Sequence, residues 1–204
     1  MKLKYWKKTE RSAFLSLDDT VWGVLSLRTL HHLYPFASEQ EISGQEAQEL
    51  IKLLQNSAWK QLTDYLAKAE HSEHQCRNFL RRKEYHPQII DQCIRLCKEK
   101  GYLDDARFAG ILIKSLFDRG KSRRAITNKL YEHSISPSIY EPIIKDLHDP
   151  VAEQEMMKEQ IQKLSFRYRE LEPYKAKEKI FASLFRKGFS LEAINSAWNA
   201  LDKN

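Results

Sequence analysis

The 204-residue sequence predicts a mainly α-helical protein: tandem three-helix repeats forming an elongated curved array, with a small N-terminal β-hairpin segment. Three observations predict this class. First, residues 72–97 reappear at a shift of 50 residues and again at a further shift of 54. The aligned columns are apolar: Cys76/Ile126/Ile180, Leu80/Leu130/Leu184, Tyr85/Ile135/Phe189, Ile89/Ile139/Ala193, Ile90/Tyr140/Ile194, Ile94/Ile144/Trp198 and Cys97/Leu147/Leu201. Self-similarity at this period marks supersecondary units that bury one face against their neighbours. Second, apolar residues from Ala58 onward recur at helical spacing, whereas the first 30 residues alternate. Third, six glycines and six prolines are too few for a sandwich with many turns.

The elements follow in order. Ala13, Leu15 and Leu17 alternate, as do Val21, Gly23, Leu25 and Leu27, around a polar Asp18-Asp19 turn. That pattern is a hairpin. Residues 34–45 read as a loop ending at Ser43, an N-cap for a helix striped by Ala47, Leu50, Ile51 and Leu54. Leu62, Leu66 and Ala69 carry a further stripe. Ser72-x-x-Gln75 is a capping box, in which hydroxyl and amide each satisfy an orphan N–H. The helix it opens ends before His86-Pro87, because proline suits the first turn of a helix and not its interior. The next helix carries Ile89, Ile90, Cys93, Ile94 and Cys97, and Gly101 closes it with Tyr102 available for an apolar contact.

The second unit repeats this grammar. Asp104 caps a helix with Phe108, Leu112 and Leu116 inward, Gly120 ends it, Ser122 caps the next, and Ser136-Pro137 starts the third. The last unit opens near Asp149-Pro150 with a long charged helix. Helices at about 175–187 and 191–202 follow, the latter capped by Ser190. The expected organisation is an extension over 1–57 and three-helix repeats over 58–103, 104–149 and 150–204.

Composition bounds the function. Charged residues are 30% and apolar ones 42%, as in a soluble globular protein, and no apolar run approaches the roughly 20 residues of a membrane span. The basic N-terminus lacks an apolar core of the kind that directs secretion, so a cytoplasmic location is expected. Cys76, Cys93 and Cys97 all occupy apolar positions and read as small buried hydrophobes in a reducing compartment. A net charge of +6 is compatible with polyanion binding.

The apolar columns repeat but the charged ones do not, so each unit has its own outer face. Residues 71–100 hold seven Lys/Arg against four acids, 114–133 six against two, and 158–187 nine against four. Arg77, Arg81 and Arg82 fall on one side of a helix. Lys121, Arg123 and Arg124 sit at a helix N-terminus, where cations oppose the dipole. A locally unfavourable charge is a pointer to external use.

Catalytic signatures are missing from the sequence. The glycines form no phosphate-cradling loop, and there is no His-Glu-x-x-His or Gly-x-Ser-x-Gly. His71 and His74 lie near Cys76, but Cys76 belongs to a core column, so no metal site is expected. Asp104-Asp105 read as a cap and a first-turn acid. No enzyme activity and no cofactor are expected.

The run Gly101-Tyr102-Leu103-Asp104-Asp105-Ala106-Arg107-Phe108-Ala109 closely resembles the signature of the bacterial RecX family, regulators of the RecA recombinase. Ser72-Glu73 with Leu80-Arg81-Arg82-Lys83 resembles that family's first repeat. Arg119-Gly120-Lys121-Ser122 resembles its second, and Phe185-Arg186-Lys187-Gly188-Phe189-Ser190 its third. The resemblance covers about residues 58–202. It departs at Glu84 and Ser134, where a glycine is usual before the bend aromatic and only Gly188 keeps it.

The resemblance implies a curved helical array, non-catalytic, that binds within the groove of the RecA–single-stranded-DNA filament. It implies inhibition or modulation of RecA ATP hydrolysis, strand exchange and coprotease activity, in recombination, DNA repair and the SOS response. The expected partners are the RecA filament and single-stranded DNA, bound weakly or within that filament, with no membrane contact and a monomeric chain. Candidate contacts are Arg77, Arg81, Arg82, Lys83, Lys121, Arg123, Arg124, Arg186 and Lys187. The rival expectation is an autonomous nucleic-acid-binding helical-repeat protein.

Overall fold

The computed structural model describes residues 1–35, 37–147 and 150–201. Its N-terminal segment is a four-stranded antiparallel sheet rather than a lone hairpin. Strands β1 (Lys2–Thr9), β2 (Ser12–Leu17), β3 (Thr20–Ser26) and β4 (Glu39–Glu41) lie in the order β3-β2-β1-β4. The β2–β3 hairpin is the one the alternation predicts. Its turn residues Asp18 and Asp19 have φ of 47° and 64°, the left-handed pair of a type I′ turn, whose twist matches the strands. The Asp18 carboxylate accepts the Lys2 backbone N–H at 2.7 Å and ties the turn to β1.

Leu3 and Tyr5 of β1 are buried while Lys2, Lys4 and Trp6 face water. The alternation is short in the sequence, because Trp6 follows Tyr5 directly and Lys7 falls at the next inward position. Leu27 does not extend β3. The Ser26 hydroxyl accepts the Thr29 N–H at 3.0 Å and caps α1 (Leu27–Leu33) instead. The expected 34–45 loop contains β4, and Phe36 within it lies outside the described residues.

Two units divide the chain, Met1–Asp104 and Asp105–Asn204. In the first, α2 (Gly44–Leu66) opens with a capping box between Ser43 and Glu46. The helix runs unbroken through residues 57–58, because Ala58 and Leu62 continue the buried stripe of Ala47, Leu50 and Leu54. Then come α3 (Glu73–Arg82), with the Ser72/Gln75 capping box, and α4 (Pro87–Glu99), with proline at its start. The sheet's inner face, α2, α3 and α4 share one core. Gly23 lets this happen. A Cβ there would stand 3.0 Å from both Leu54 and Tyr85.

The second unit holds α5 (Asp105–Asp118), α6 (Arg123–Glu132), α7 (Pro137–Leu147), α8 (Pro150–Arg167), α9 (Pro173–Arg186) and α10 (Leu191–Leu201). One core gathers α5, α6 and α7, and another gathers α8, α9 and α10. In α5, Phe108 is buried as expected, but Ala109 and Ile113 lie deepest and Leu112 and Leu116 are only partly covered. Asp149 and the Leu147 side chain lie outside the described residues. Among the described residues no strand follows Glu41.

The repeat columns have a local cause. Each middle helix ends in a Schellman motif, in which the residue two past the cap bonds back to the helix's C3 carbonyl. The bonds are Tyr85 N–H to Leu80 O at 3.3 Å, Ile135 to Leu130 at 3.1 Å, and Phe189 to Leu184 at 3.3 Å. An apolar contact between these two positions completes the motif. The Leu80 and Tyr85 columns are therefore its two ends. All six residues, like Cys76, Ile126 and Ile180, are buried. Fully burying each large side chain contributes about 1.5–3 kcal/mol.

The intervening residue must be left-handed. Glu84, Ser134 and Gly188 have φ of 66°, 56° and 98°. Glu84 and Ser134 thus keep the bend geometry that their replacement of glycine put in question.

Candidate functional site

The nine candidate basic residues separate into three situations. Arg77 is internal wiring. Its guanidinium pairs with Glu73 at 2.7 Å and with Asp91 at 2.5 Å, and Glu73 also pairs with Lys98. This network ties α3 to α4. Burial disfavours charge on Arg77 most strongly, but the hydrogen bonds to Asp91 and Glu73 outweigh it and raise its pKa above the ordinary value. Burial likewise opposes the Glu73 carboxylate, yet Lys98 and Arg77 pull its pKa down.

Arg81, Arg82 and Lys83 form the second situation. They are the last two residues and the cap of α3, and all are exposed. Cations at a helix C-terminus are favoured by the dipole, which offsets part of the repulsion among the three. Arg81 donates to the Asn78 side-chain oxygen at 3.0 Å, and the Lys83 ammonium lies 5.7 Å from the Phe79 ring centre. Among the described residues Arg82 makes no hydrogen bond or ion pair.

The other five meet in one place in the second unit. The C-terminus of α9 docks on the N-terminus of α6. Ser122 N–H donates to Lys187 O at 3.0 Å, Lys121 Nζ to Arg186 O at 3.1 Å, and Arg124 Nε to Gly188 O at 3.0 Å. Arg123 N–H donates to a Glu153 carboxylate oxygen at 3.0 Å. Lys187 reaches Gln160, whose amide donates to Gly120 O at 3.2 Å.

The negative end of one helix therefore sits on the positive end of another, which explains why cations are tolerated at the start of α6. Lys121, Arg124 and Lys187 spend hydrogen bonds inside the fold. Arg123 and Arg186 keep their side chains exposed. Burial, then repulsion from Lys121 and Lys163, lowers the Lys187 pKa.

Gln160 and Glu153 are residues the sequence alone does not single out. Their signal lies only in approach across 27–40 residues of chain. Among the described residues no group of His, Cys, Asp and Glu is arranged to hold a metal ion. No described helix is long and apolar enough to cross a membrane.

The fold defines a tandem three-helix-repeat protein with a four-stranded N-terminal sheet. Its residues 58–95 match the model of the first three-helix domain of RecX, and residues 152–198 match that of the third. The chain is 29% identical to regulatory protein RecX of Streptococcus gordonii, across 99% of this chain and 78% of that one. Against regulatory protein RecX of Staphylococcus aureus it is 24% identical, across 98% and 74%.

Two solved structures share its fold. One is a regulatory protein RecX, with a TM-score of 0.62 and 17% identity over 97% of this chain and 99% of that one. The other is RecX from Lactobacillus salivarius, with a TM-score of 0.61 and 21% identity over 74% and 97%. The chain is thus similar to RecX regulatory proteins over nearly its whole length, and two of its three-helix segments match RecX domain models.

Proposed function

We propose that this protein binds a RecA–single-stranded-DNA filament and lowers its ATP hydrolysis, strand exchange and coprotease activity, without catalysis of its own. The observation that carries the reading is similarity to regulatory RecX proteins along the whole chain. The surface chemistry supports it. Each unit presents an exposed basic cluster on a rigid helix end, Arg81-Arg82-Lys83 in one and Arg123 with Arg186 in the other. Weak patches on one chain reaching successive protomers of a filament gain avidity beyond any single contact. The trios 58–103, 104–149 and 150–204 are the proposed modules of that engagement, acting in the cytoplasm as a monomer.

A RecA ATPase assay on single-stranded DNA, with this protein titrated in, tests the reading. ATP hydrolysis is expected to fall to a plateau. An unchanged rate throughout the titration overturns the proposal. Tight binding to free DNA with no effect on RecA points to an autonomous nucleic-acid binder instead.

A further inference from the structure

The outer face of the N-terminal sheet carries an aromatic pair that the core does not use. Trp6 on β1 and Phe14 on β2 are directly opposed in the antiparallel register. Their rings stack with centroids 5.4 Å apart and 26° between planes. Successive side chains of a strand alternate between faces. Leu3, Tyr5, Ala13 and Leu15 fill the inner face, so Trp6 and Phe14 lie on the other. β1 and β2 are the two central strands, yet Trp6 remains 40% exposed.

Charge gathers at one end of this pair. The Lys8 ammonium lies 5.0 Å from the Phe14 ring centre and pairs with Glu84 at the α3–α4 bend. That ion pair brings Arg81, Arg82 and Lys83, the residues just before Glu84, to the same end of the sheet. Lys7, near the end of β1, and Arg11, in the β1–β2 turn, add to this end of the sheet. Six cations (Lys7, Lys8, Arg11, Arg81, Arg82, Lys83) thus stand against two carboxylates, Glu10 and Glu84, a local balance of +4. At the opposite end Lys2 and Lys4 both pair with Glu39, which neutralises that edge. Exposed pairs such as Lys7–Glu10 are weak, and a phosphate can take the carboxylate's place.

We propose that this face is a stacking platform for single-stranded DNA. A base adds to the open face of Trp6 and extends the Trp6–Phe14 stack, while Lys8, Arg11, Arg82 and Lys83 follow the phosphates. Aromatic side chains flanked by cations bind single strands because every unpaired base offers a π-face, which a duplex hides. The proposal rests on the filament reading for its choice of nucleic acid, and it assigns a role to an N-terminal sheet that lies outside the three-helix modules.

The test uses the full chain and a labelled oligothymidylate of about 15 nucleotides, with binding followed by fluorescence anisotropy. Trp6→Leu keeps apolar bulk but removes the π-face, and is expected to weaken binding roughly 5- to 150-fold. Trp6→Phe retains a ring and is expected to stay within about threefold of wild type. Thermal melting by circular dichroism checks the fold, and Phe14→Leu substitutes if Trp6→Leu fails to fold. Unchanged affinity in the Leu variants, equal affinity for a duplex of the same length, or no binding by wild type each overturns the platform. The RecA ATPase titration run in parallel separates the two ideas. Regulation that persists while Trp6→Leu binds DNA normally sinks the platform alone. DNA binding by wild type that Trp6→Leu weakens, with no RecA effect in wild type, sinks the filament reading alone.

Discussion

Gly188 lies directly against Ser122: a Cβ on Gly188 would stand 2.5 Å from the Ser122 hydroxyl oxygen and 2.5 Å from the Ala125 Cβ. The same glycine has φ of 98° and gives its carbonyl to Arg124. One residue therefore sets both the end of α9 and its seat on α6.

Gly188→Ala is expected to destabilise the protein by about 2–4 kcal/mol, combining a left-handed backbone penalty with overpacking against α6. The change appears as a lower urea midpoint. A loss below about 1 kcal/mol would mean that α9 re-seats freely on α6.

Ser134 occupies the equivalent left-handed position with φ of 56°, on an exposed bend. Ser134→Gly is expected to stabilise by about 0.5–1 kcal/mol, since relief of left-handed strain exceeds the entropy glycine adds to the unfolded chain. Glu84→Gly is expected to gain less, because it also gives up the ion pair to Lys8. Denaturant titration of both variants checks the ranking.

Arg77 and Arg82 sit on one helix with opposite duties, and their variants should separate. Arg77→Met is expected to cost about 1 kcal/mol of stability by unpairing Glu73 and Asp91, after allowance for its partial exposure. Reversing charge at Arg81 and Arg82 is expected to leave helicity and melting near wild type while weakening the effect on RecA ATP hydrolysis. Normal inhibition by the Arg81/Arg82 reversal would remove those residues from the contact surface.

Burial pushes the Cys93 and Cys97 thiols up to about 11 from the ordinary 9.0. A thiol whose pKa is raised by folding is protonated in both states below the unfolded value, so stability is unaffected there. From about pH 9 upward the unfolded chain loses protons that the folded one keeps. Stability should then fall by up to about 1.4 kcal/mol per pH unit for each thiol until pH 11. Urea unfolding between pH 7 and 10.5 measures this. At pH 8 both thiols should resist a thiol reagent until urea unfolds the chain. Rapid labelling of the native protein would contradict their burial.

Much of the fold was legible because its signals are local. Capping by Ser43, Ser72, Ser122 and Ser190, the proline starts at Pro87 and Pro137, and the glycine stops at Gly101 and Gly120 each act within a few residues. The paired columns of Leu80 and Tyr85 are likewise two ends of one capping motif. β1 escaped because its alternation is short: Trp6, on the outer face, follows Tyr5, and Lys7 falls at the next inward position. β4 is three residues long and takes its order from pairing with β1.

The candidate site was legible only as a list of cations. Arg77 differs from Arg81 and Arg82 in having Glu73 four residues before it on the same helix, and the arrival of Asp91 from α4 completes its pairing.

Alone, the sequence determined most of the helix starts and stops after Ser72 and the buried columns they share, because periodicity and capping are settled within two turns of chain. It did not reveal α1, the unbroken α2 or the inward turn of Ala109 and Ile113. Tertiary structure decided which charges remain available. It seated the end of α9 on the start of α6, joining Lys121 to Arg186 across 65 residues. It also set Lys8 beside Glu84, bringing the sheet's aromatic pair to the basic end of α3. A charge is free or spent according to what the rest of the chain places next to it, and no local pattern encodes that approach.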